Sequence, residues 1–333
     1  MPSVLTHYGF NKEVLDNKLE FLKNNEDIYL LGAQGPDPFF FYGIIPFCKN
    51  KNAKKVRGYG SKLHKIAPSD VFLLFFKFAD ESEAKDVLYS YILGAGLHYV
   101  LDRKLHPYVY YKTGFSKDKK KKRRYYVNHT LLETNIDVLL MEGIFKKYKT
   151  NPSSSIKSEI NKVDYVSKMY GKLAKELLKE DKIDDYSFKE AYKQMYRLEK
   201  LLYSKRGIKK GFANCLFKNT PLNTMMHPKF VKDDEKIDYL NLKKSEWKDP
   251  TLETVYIKSV LDLIEEAKID ASEWTMIVSE YYSNKGNDIK LKNFIKGIIY
   301  DGYSEGSEMK VFENVFEKGE RSKWLLVQKE KDI

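Results

Sequence analysis

Hydrophobic and polar residues follow the helical period of about 3.6 residues along nearly the whole chain. In the first half, apolar residues recur at this spacing in segments 11–24, 69–78, 82–105 and 124–148. In the second half, the same spacing continues in segments 157–180, 186–205, 251–268, 271–283 and 288–299. Alternation typical of strands is scarce and short. The pattern therefore predicts an all-α protein, a bundle of many helices.

Helix ends and one linker divide the chain. Asn11 is predicted to cap the first helix, and Ser82 to cap the long helix that ends before Pro107. The turn-rich stretch NPSSSI at 151–156 is the predicted linker. We therefore predict a helical core in residues 1–150. Residues 151–333 are predicted to complete the bundle or to form a second helical subdomain.

Composition excludes several classes of protein. With 42% hydrophobic residues the chain has enough apolar material for a large core, which excludes general disorder. The two cysteines, Cys48 and Cys215, are too few for a disulfide framework or a thiolate-rich metal site. The longest apolar run, 71–76, is far shorter than the roughly 20 residues of a membrane span. Without a secretory pattern at the start, a cytoplasmic location is expected.

The formal net charge is +12, from 59 Lys and Arg against 47 Asp and Glu. One basic run carries part of the excess, through Lys117, Lys119, Lys120, Lys121, Lys122, Arg123 and Arg124. Such a run favours an anionic partner, either a phospholipid membrane surface or nucleic acid. The alternative is a solvated loop without a partner.

Histidine and acidic residues repeat with a spacing of four. His98, Asp102 and His106 lie on one stripe of the long predicted helix, because four residues turn a helix only slightly past one revolution. His129 and Glu133 repeat the spacing on the next long helix. Together these five side chains offer the nitrogen and oxygen ligands that suit Zn²⁺.

Three further candidate ligands, His7, Asp37 and His64, lie upstream. Asp37 follows the glycine- and proline-rich stretch GAQGP, which predicts a loop that can hold a carboxylate against a metal. Eight candidates exceed the four ligands of one tetrahedral zinc, so a site with more than one metal ion is predicted. The alternative is a set of buried, hydrogen-bonded core histidines.

This ordered pattern, with GLHYVLDRKLHP at 96–107 and NHTLLE at 128–133, resembles the bacterial zinc-dependent phospholipase C family. It is also similar to the fungal single-strand-specific nucleases, which share that family's all-helical fold with three zinc ions. The resemblance covers about residues 1–145, and residues 151–333 contain no motif that matches. It implies an all-α bundle of this type with additional C-terminal helices.

The resemblance also implies roles for the candidate residues. Two or three zinc ions are expected per chain, held by His7, Asp37, His64, His98, Asp102, His106, His129 and Glu133. Asp102 is expected to bridge two of them, and Asp37 to orient or deprotonate the attacking water. Pro2, exposed by removal of Met1, is expected to be the terminal ligand in place of the family's tryptophan. A hydroxide shared by two zinc ions then attacks phosphorus without a covalent intermediate.

Three functions follow from these expectations. The first is a phospholipase C-like phosphodiesterase, and Pro38 stands where choline-specific members place an aromatic residue, which argues against a choline preference. The second is a single-strand nuclease of the same fold. The third is a non-catalytic protein, stapled by zinc, that docks on membranes. Asn128 and Asp137 are further candidates, as groups that orient the ligands.

Overall fold

The computed structural model describes residues 4–16, 18–44, 52–203, 209, 226 and 238–310, and the side chains of 119–124 are not among them. Within these ranges the chain forms eleven α-helices and one two-stranded antiparallel sheet. The helices of the first half are α1 (Val4–Val14), α2 (Glu26–Gly32), α3 (Ala53–Leu63), α4 (Ser69–Asp80), α5 (Lys85–Thr113) and α6 (Lys119–Glu142). Those of the second half are α7 (Pro152–Ser155), α8 (Ile160–Glu176), α9 (Ser187–Leu202), α10 (Val260–Tyr282) and α11 (Asp288–Ile295). Strands β1 (Trp247–Lys248) and β2 (Val255–Tyr256) precede α10. Because this sheet is so small, the predicted all-α class is confirmed.

The first helix lies earlier than predicted. It spans Val4–Val14, whereas the periodicity predicted 11–24 with Asn11 as its cap. The backbone N–H groups of Leu5 and Thr6 donate to the buried carboxylate of Asp137 on α6, at 3.1 and 2.8 Å. These donors of the first turn need a partner. A side chain more than 130 residues away supplies it, so no local cap marks the start.

The long helix α5 passes through Pro107 and ends at Thr113, so the predicted end before Pro107 is wrong. A proline inside a helix costs about 3 kcal/mol, because it removes one hydrogen bond and crowds the preceding turn. His106, Pro107, Tyr108 and Val109 are all buried, and their packing outweighs that cost.

The predicted segments 251–268 and 271–283 share one helix, α10, rather than forming two, and residues 251–259 precede it and contain β2. It starts at a capping box, in which the Ser259 hydroxyl accepts from the N–H of Asp262 and the Asp262 carboxylate accepts from the N–H of Ser259. The predicted linker at 151–156 holds the short helix α7, with Asn151 as its N-cap. The other predicted helix ends lie within about six residues of the observed ones, and the sequence predicted no helix at α2 or α3.

Helices from both halves of the chain share one hydrophobic core around α5. On α10, Trp274 is fully buried against Gly96 of α5, and its indole N–H donates to the carbonyl of Leu93 at 3.0 Å. On α8 and α9, Tyr170 and Phe188 stack with ring centroids 4.7 Å apart. The division at residue 150 stays a prediction, and this packing favours the alternative in which the later helices complete the bundle.

Across the described residues, every helix is too short or too polar to cross a lipid bilayer.

Candidate metal centre

The eight predicted ligand residues come together in three clusters. In each cluster one donor atom per residue lies within 4.8 Å of the others. The clusters are His7, His98 and Asp102 (cluster one), Asp37, His64 and His98 (cluster two), and His106, His129 and Glu133 (cluster three). All eight side chains are buried except His64, which is half-buried. Pro2 lies outside the described residues, and its predicted role stays a prediction.

Asp102 lies at the centre of cluster one. Its Oδ1 is 3.1 Å from His7 Nε2, and its Oδ2 is 3.2 Å from His98 Nε2. The same Oδ2 is 3.8 Å from His106 Nδ1, which belongs to cluster three. The stripe on α5 therefore places Asp102 between two clusters, and α1 brings His7 to it.

Cluster two depends on the loop between α2 and the short 3-10 turn Asp37–Phe41. His64, at the end of α3, places its Nε2 3.1 Å from Asp37 Oδ1. Gly35 has φ +46°, in the left-handed region, and packs against the His98 ring. The Tyr91 hydroxyl donates to the Gly35 carbonyl at 2.9 Å and fixes the loop.

Cluster three joins α5 and α6. Glu133 Oε1 lies 3.0 Å from His129 Nε2, one turn earlier on α6, and 3.6 Å from His106 Nε2 on α5. The sequence predicted that two adjacent helices would face each other through these residues, and the structure places them so.

Backbone carbonyls fix three of the imidazole rings from behind. Nδ1 lies 2.8 Å from the Gly60 carbonyl in His64, 3.0 Å from that of Ala33 in His98, and 2.9 Å from that of Tyr300 in His106. A carbonyl only accepts, so each Nδ1 carries the hydrogen. In a neutral ring the other nitrogen, Nε2, then carries a free lone pair. This is the arrangement of histidines that bind zinc, in which one ring nitrogen donates to a carbonyl and the other binds the metal.

The donor set fits a divalent cation. Burial lowers the pKa of His98 despite the nearby Asp102, so this ring is neutral and its Nε2 lone pair faces a carboxylate oxygen. His98 Nε2, His7 Nδ1 and Asp37 Oδ1 are buried and lack a hydrogen-bond partner among the described residues. Buried polar atoms without partners are costly. A cation bound at His98 Nε2 and Asp37 Oδ1, which both belong to cluster two, would satisfy these two atoms.

Negative charge dominates the centre when no cation is bound. Burial tends to raise the pKa of Asp102 and Glu133, but the facing imidazoles hold both well below the usual range. Burial tends to lower the pKa of His106, yet Asp102 and Glu133 raise it to about 10. Burial also tends to lower the pKa of His64, but the adjacent Asp37 carboxylate raises it above its usual value. A proton on His106 therefore offsets part of the negative charge that a bound cation would otherwise neutralise.

A comparison with known protein families agrees with this geometry. A sequence model of the family described as zinc dependent phospholipase C matches residues 6–184. The chain belongs to the zinc-dependent phospholipase C family. Neither the curated proteins nor the solved structures contain a significant match.

Membership in the zinc-dependent phospholipase C family confirms the predicted resemblance and zinc as the cofactor, two or three ions per chain. It also places the protein among zinc-dependent phosphodiester hydrolases, whose substrates are phospholipids or related phosphodiesters. The match extends to residue 184, well past the last motif residue, Glu133, and past the predicted boundary at residue 150.

An open pocket of about 390 Å³ gives access to the centre. His64 of cluster two, together with His106 and His129 of cluster three, lines its floor. Its walls are largely aromatic and include Tyr126, of which 44% is exposed. The pocket is therefore large enough for a small phosphodiester group to approach two of the three clusters.

One supporting element has no signal in the sequence. Residues 300–303, after α11, supply the Tyr300 carbonyl and the Asp301 carboxylate beside His106. They carry no motif, and no spacing links them to residues almost 200 positions earlier. Asp137, predicted as a group that orients the ligands, binds the first turn of α1, which carries His7. Asn128 is half-buried on α6, and its suggested role stays a hypothesis.

Zinc binding to the metal-free protein is expected to release protons near neutral pH. Despite burial, Asp102 and Glu133 raise the pKa of His106 to about 10, so this ring is protonated without metal, and Asp37 also raises the pKa of His64, whereas burial lowers the pKa of His98 and His129 and keeps them neutral. Zinc takes neutral imidazole, so the proton of His106, together with any proton on His64, should leave, and the affinity for zinc should rise with pH. Calorimetry in buffers of different ionisation enthalpy measures this release. A heat of binding that is independent of the buffer would contradict it.

Replacing Asp137 with asparagine is expected to weaken zinc binding at cluster one without touching a ligand. The carboxylate accepts from two N–H groups of α1 and from the Thr6 hydroxyl at 2.6 Å. An amide loses the charge and one acceptor, which costs about 1–3 kcal/mol and loosens the helix that carries His7. Thermal unfolding and zinc content measure both effects. The matched control is Thr6→Val, which removes one of the three donors and should have the smaller effect.

Proposed function

We propose that the protein is a phospholipase C, which hydrolyses a phospholipid on the glycerol side of the phosphate and releases diacylglycerol. The observation that carries this proposal is the open pocket whose floor holds imidazoles of clusters two and three. A phosphate group that enters the pocket reaches ligands of two clusters at once. Aromatic and apolar walls, including Phe40, Phe115 and Met309, suit the glycerol and first acyl carbons of a lipid.

Each cluster has its proposed ligands. Asp37, His64, His98 and Asp102 would hold one zinc ion, Asp102 and His7 a second, and His106, His129 and Glu133 the third. When bound, zinc lowers the pKa of water and neutralises charge on a phosphoryl group. The buried imidazoles and carboxylates fix these positions before substrate arrives, so little reorganisation accompanies the reaction.

Asp37 and Asp102 have the proposed catalytic roles. Asp37 is almost fully buried, and its Oδ1 lies 3.1 Å from His64 Nε2; with zinc bound to that nitrogen, the carboxylate could accept a hydrogen bond from the attacking water. Facing imidazoles keep the pKa of Asp37 below its usual value despite burial, so the carboxylate is ionised and able to accept. Asp102 would share its two oxygens between clusters, in accordance with its distances to His7 and His98.

The proposed partner is a membrane surface that contains anionic phospholipid. The basic run at 117–124 begins beside the pocket, because Lys117 forms an ion pair with Glu308, the neighbour of the wall residue Met309. A positive segment at this rim would draw the pocket towards anionic lipid. Replacing Lys119, Lys120, Lys121 and Lys122 with glutamine should weaken vesicle binding and its dependence on salt, while zinc content stays unchanged. Equal binding before and after replacement would contradict this role.

Diacylglycerol release from mixed phospholipid vesicles tests the activity. Zinc-loaded protein should release diacylglycerol, a chelator should abolish the release, and the lipid consumed identifies the head group. His129→Ala should abolish it as well, whereas Asp181→Asn, at an exposed carboxylate far along the chain, should not. Cleavage of single-stranded DNA without lipid hydrolysis would favour the nuclease alternative. Fully zinc-loaded protein that cleaves neither substrate would favour the non-catalytic alternative.

A further inference from the structure

The loop after α11 reaches cluster three from outside the part of the chain that matches the family. It forms a tight turn, in which the Ile299 N–H donates to the Tyr303 carbonyl at 2.9 Å and the Gly302 N–H to the Ile299 carbonyl at 3.0 Å. This turn places the Tyr300 carbonyl 2.9 Å from His106 Nδ1. The carboxylate of Asp301 lies on the same side of the ring, with Oδ1 4.0 Å from Nδ1.

Two tyrosines hold the Asp301 carboxylate in place. The Tyr110 hydroxyl donates to Oδ1 at 2.8 Å, and the Tyr303 hydroxyl donates to Oδ2 at 3.2 Å. Tyr110 follows His106 by one turn of α5, and its ring lies 5.1 Å from that of His129. The side chain of Asp301 is only 13% exposed, and it lines the pocket. Its position is therefore fixed by the elements that carry cluster three.

The charge of Asp301 is directed at cluster three. Among the described residues, His106 is the only basic side chain within 4.0 Å of its carboxylate. Hydroxyl donors satisfy its oxygens without neutralising the charge. Cluster three itself has two imidazoles and one carboxylate, Glu133, so with neutral rings its ligands carry a single negative charge. Asp301 adds a second negative charge, which balances that of a divalent cation.

We propose that Asp301 is a positioning residue for cluster three, which fixes His106 and strengthens zinc binding there. The proposal rests on the ligand assignment under the proposed function, and it gives the C-terminal part of the chain a role in the site. The Tyr300 carbonyl sets the tautomer of His106, and the Asp301 carboxylate supplies the charge. Groups that support a metal ligand in this way typically change metal affinity about 10- to 100-fold when they are removed.

The test is a zinc titration of the full-length chain in competition with a chromophoric chelator. Asp301→Asn should lower the affinity for one zinc ion per chain about 10- to 100-fold and leave the other zinc ions unchanged. Asparagine has the same shape and keeps one acceptor for a tyrosine hydroxyl, so the turn is retained. Tyr303→Phe removes one donor but keeps the charge, and it should bind zinc nearly as the unaltered chain does. Asp181→Asn controls for the loss of one exposed negative charge.

The outcomes separate this inference from the proposed function. A folded Asp301→Asn variant that binds every zinc ion as tightly as the unaltered chain overturns the inference alone. So does a loss in Tyr303→Phe as large as that in Asp301→Asn, because packing would then explain both. An unaltered chain that binds no zinc overturns the ligand assignment together with the inference. If Asp301→Asn does not fold, Asp301→Glu keeps the charge on a longer side chain, and retained affinity of cluster three supports the proposal while its loss overturns it.

Discussion

Asp102→Asn is expected to remove two zinc ions from the protein and to lower activity by about a thousandfold or more. The two oxygens of Asp102 lie 3.1 Å from His7 and 3.2 Å from His98, and 3.8 Å from His106 of the neighbouring cluster. An amide cannot offer two anionic oxygens to two cations, and its NH₂ group would face an imidazole. Removing one partner of a buried charged network also costs about 3–5 kcal/mol in the metal-free chain.

Zinc content after gel filtration, circular dichroism and lipid hydrolysis together test this expectation. Helical content should persist, because α5 is held by its apolar neighbours along most of its length. The matched control is Asp270→Asn, which removes the ion pairs of Arg103 and Lys104 on the same helix but leaves the three clusters intact. The control should keep its zinc and its activity. An Asp102→Asn protein with a full complement of zinc would show that Asp102 is not a shared ligand.

Gly35→Ala is expected to abolish binding of the zinc ion proposed for Asp37, His64, His98 and Asp102, although it adds a single methyl group. A Cβ at this position would lie 2.5 Å from His98 Cδ2, closer than carbon atoms approach. His98 would offer its Nε2 to this zinc ion, and the Ala33 carbonyl holds its Nδ1, so the ring cannot move without losing that hydrogen bond. The backbone has φ +46°, which alone costs about 1 kcal/mol for a residue with a side chain.

Gly297→Ala separates the two causes. Gly297 also has a positive φ, +67°, and a Cβ there would meet no atom within 4 Å. This variant should therefore lose only the stability attributed to backbone conformation and should keep all its zinc. Thermal unfolding with and without chelator, together with zinc titration, distinguishes the two variants. Similar zinc affinities in Gly35→Ala and Gly297→Ala would mean that the His98 ring adjusts to the added methyl group.

The sequence by itself determined the helical class and the ligand residues on helices. His98, Asp102 and His106 lie on one stripe because helix geometry depends only on spacing along the chain. The same holds for His129 and Glu133. His7, Asp37 and His64 were upstream candidates by residue type alone, the resemblance to the zinc-dependent phospholipase C family implied their roles, and the structure brings all eight residues into three clusters.

Tertiary structure decided how these residues converge and what supports them. Asp137 sets the start of α1 through the packing of α6 against it, so no local signal predicted the helix at Val4. Helix α5 continues past Pro107 because the residues around it are buried in the core, although proline disfavours the interior of a helix. Asp301 reaches His106 across almost 200 residues. Local spacing sets the face of a helix, whereas contacts between distant segments depend on how the apolar faces pack, which periodicity does not specify.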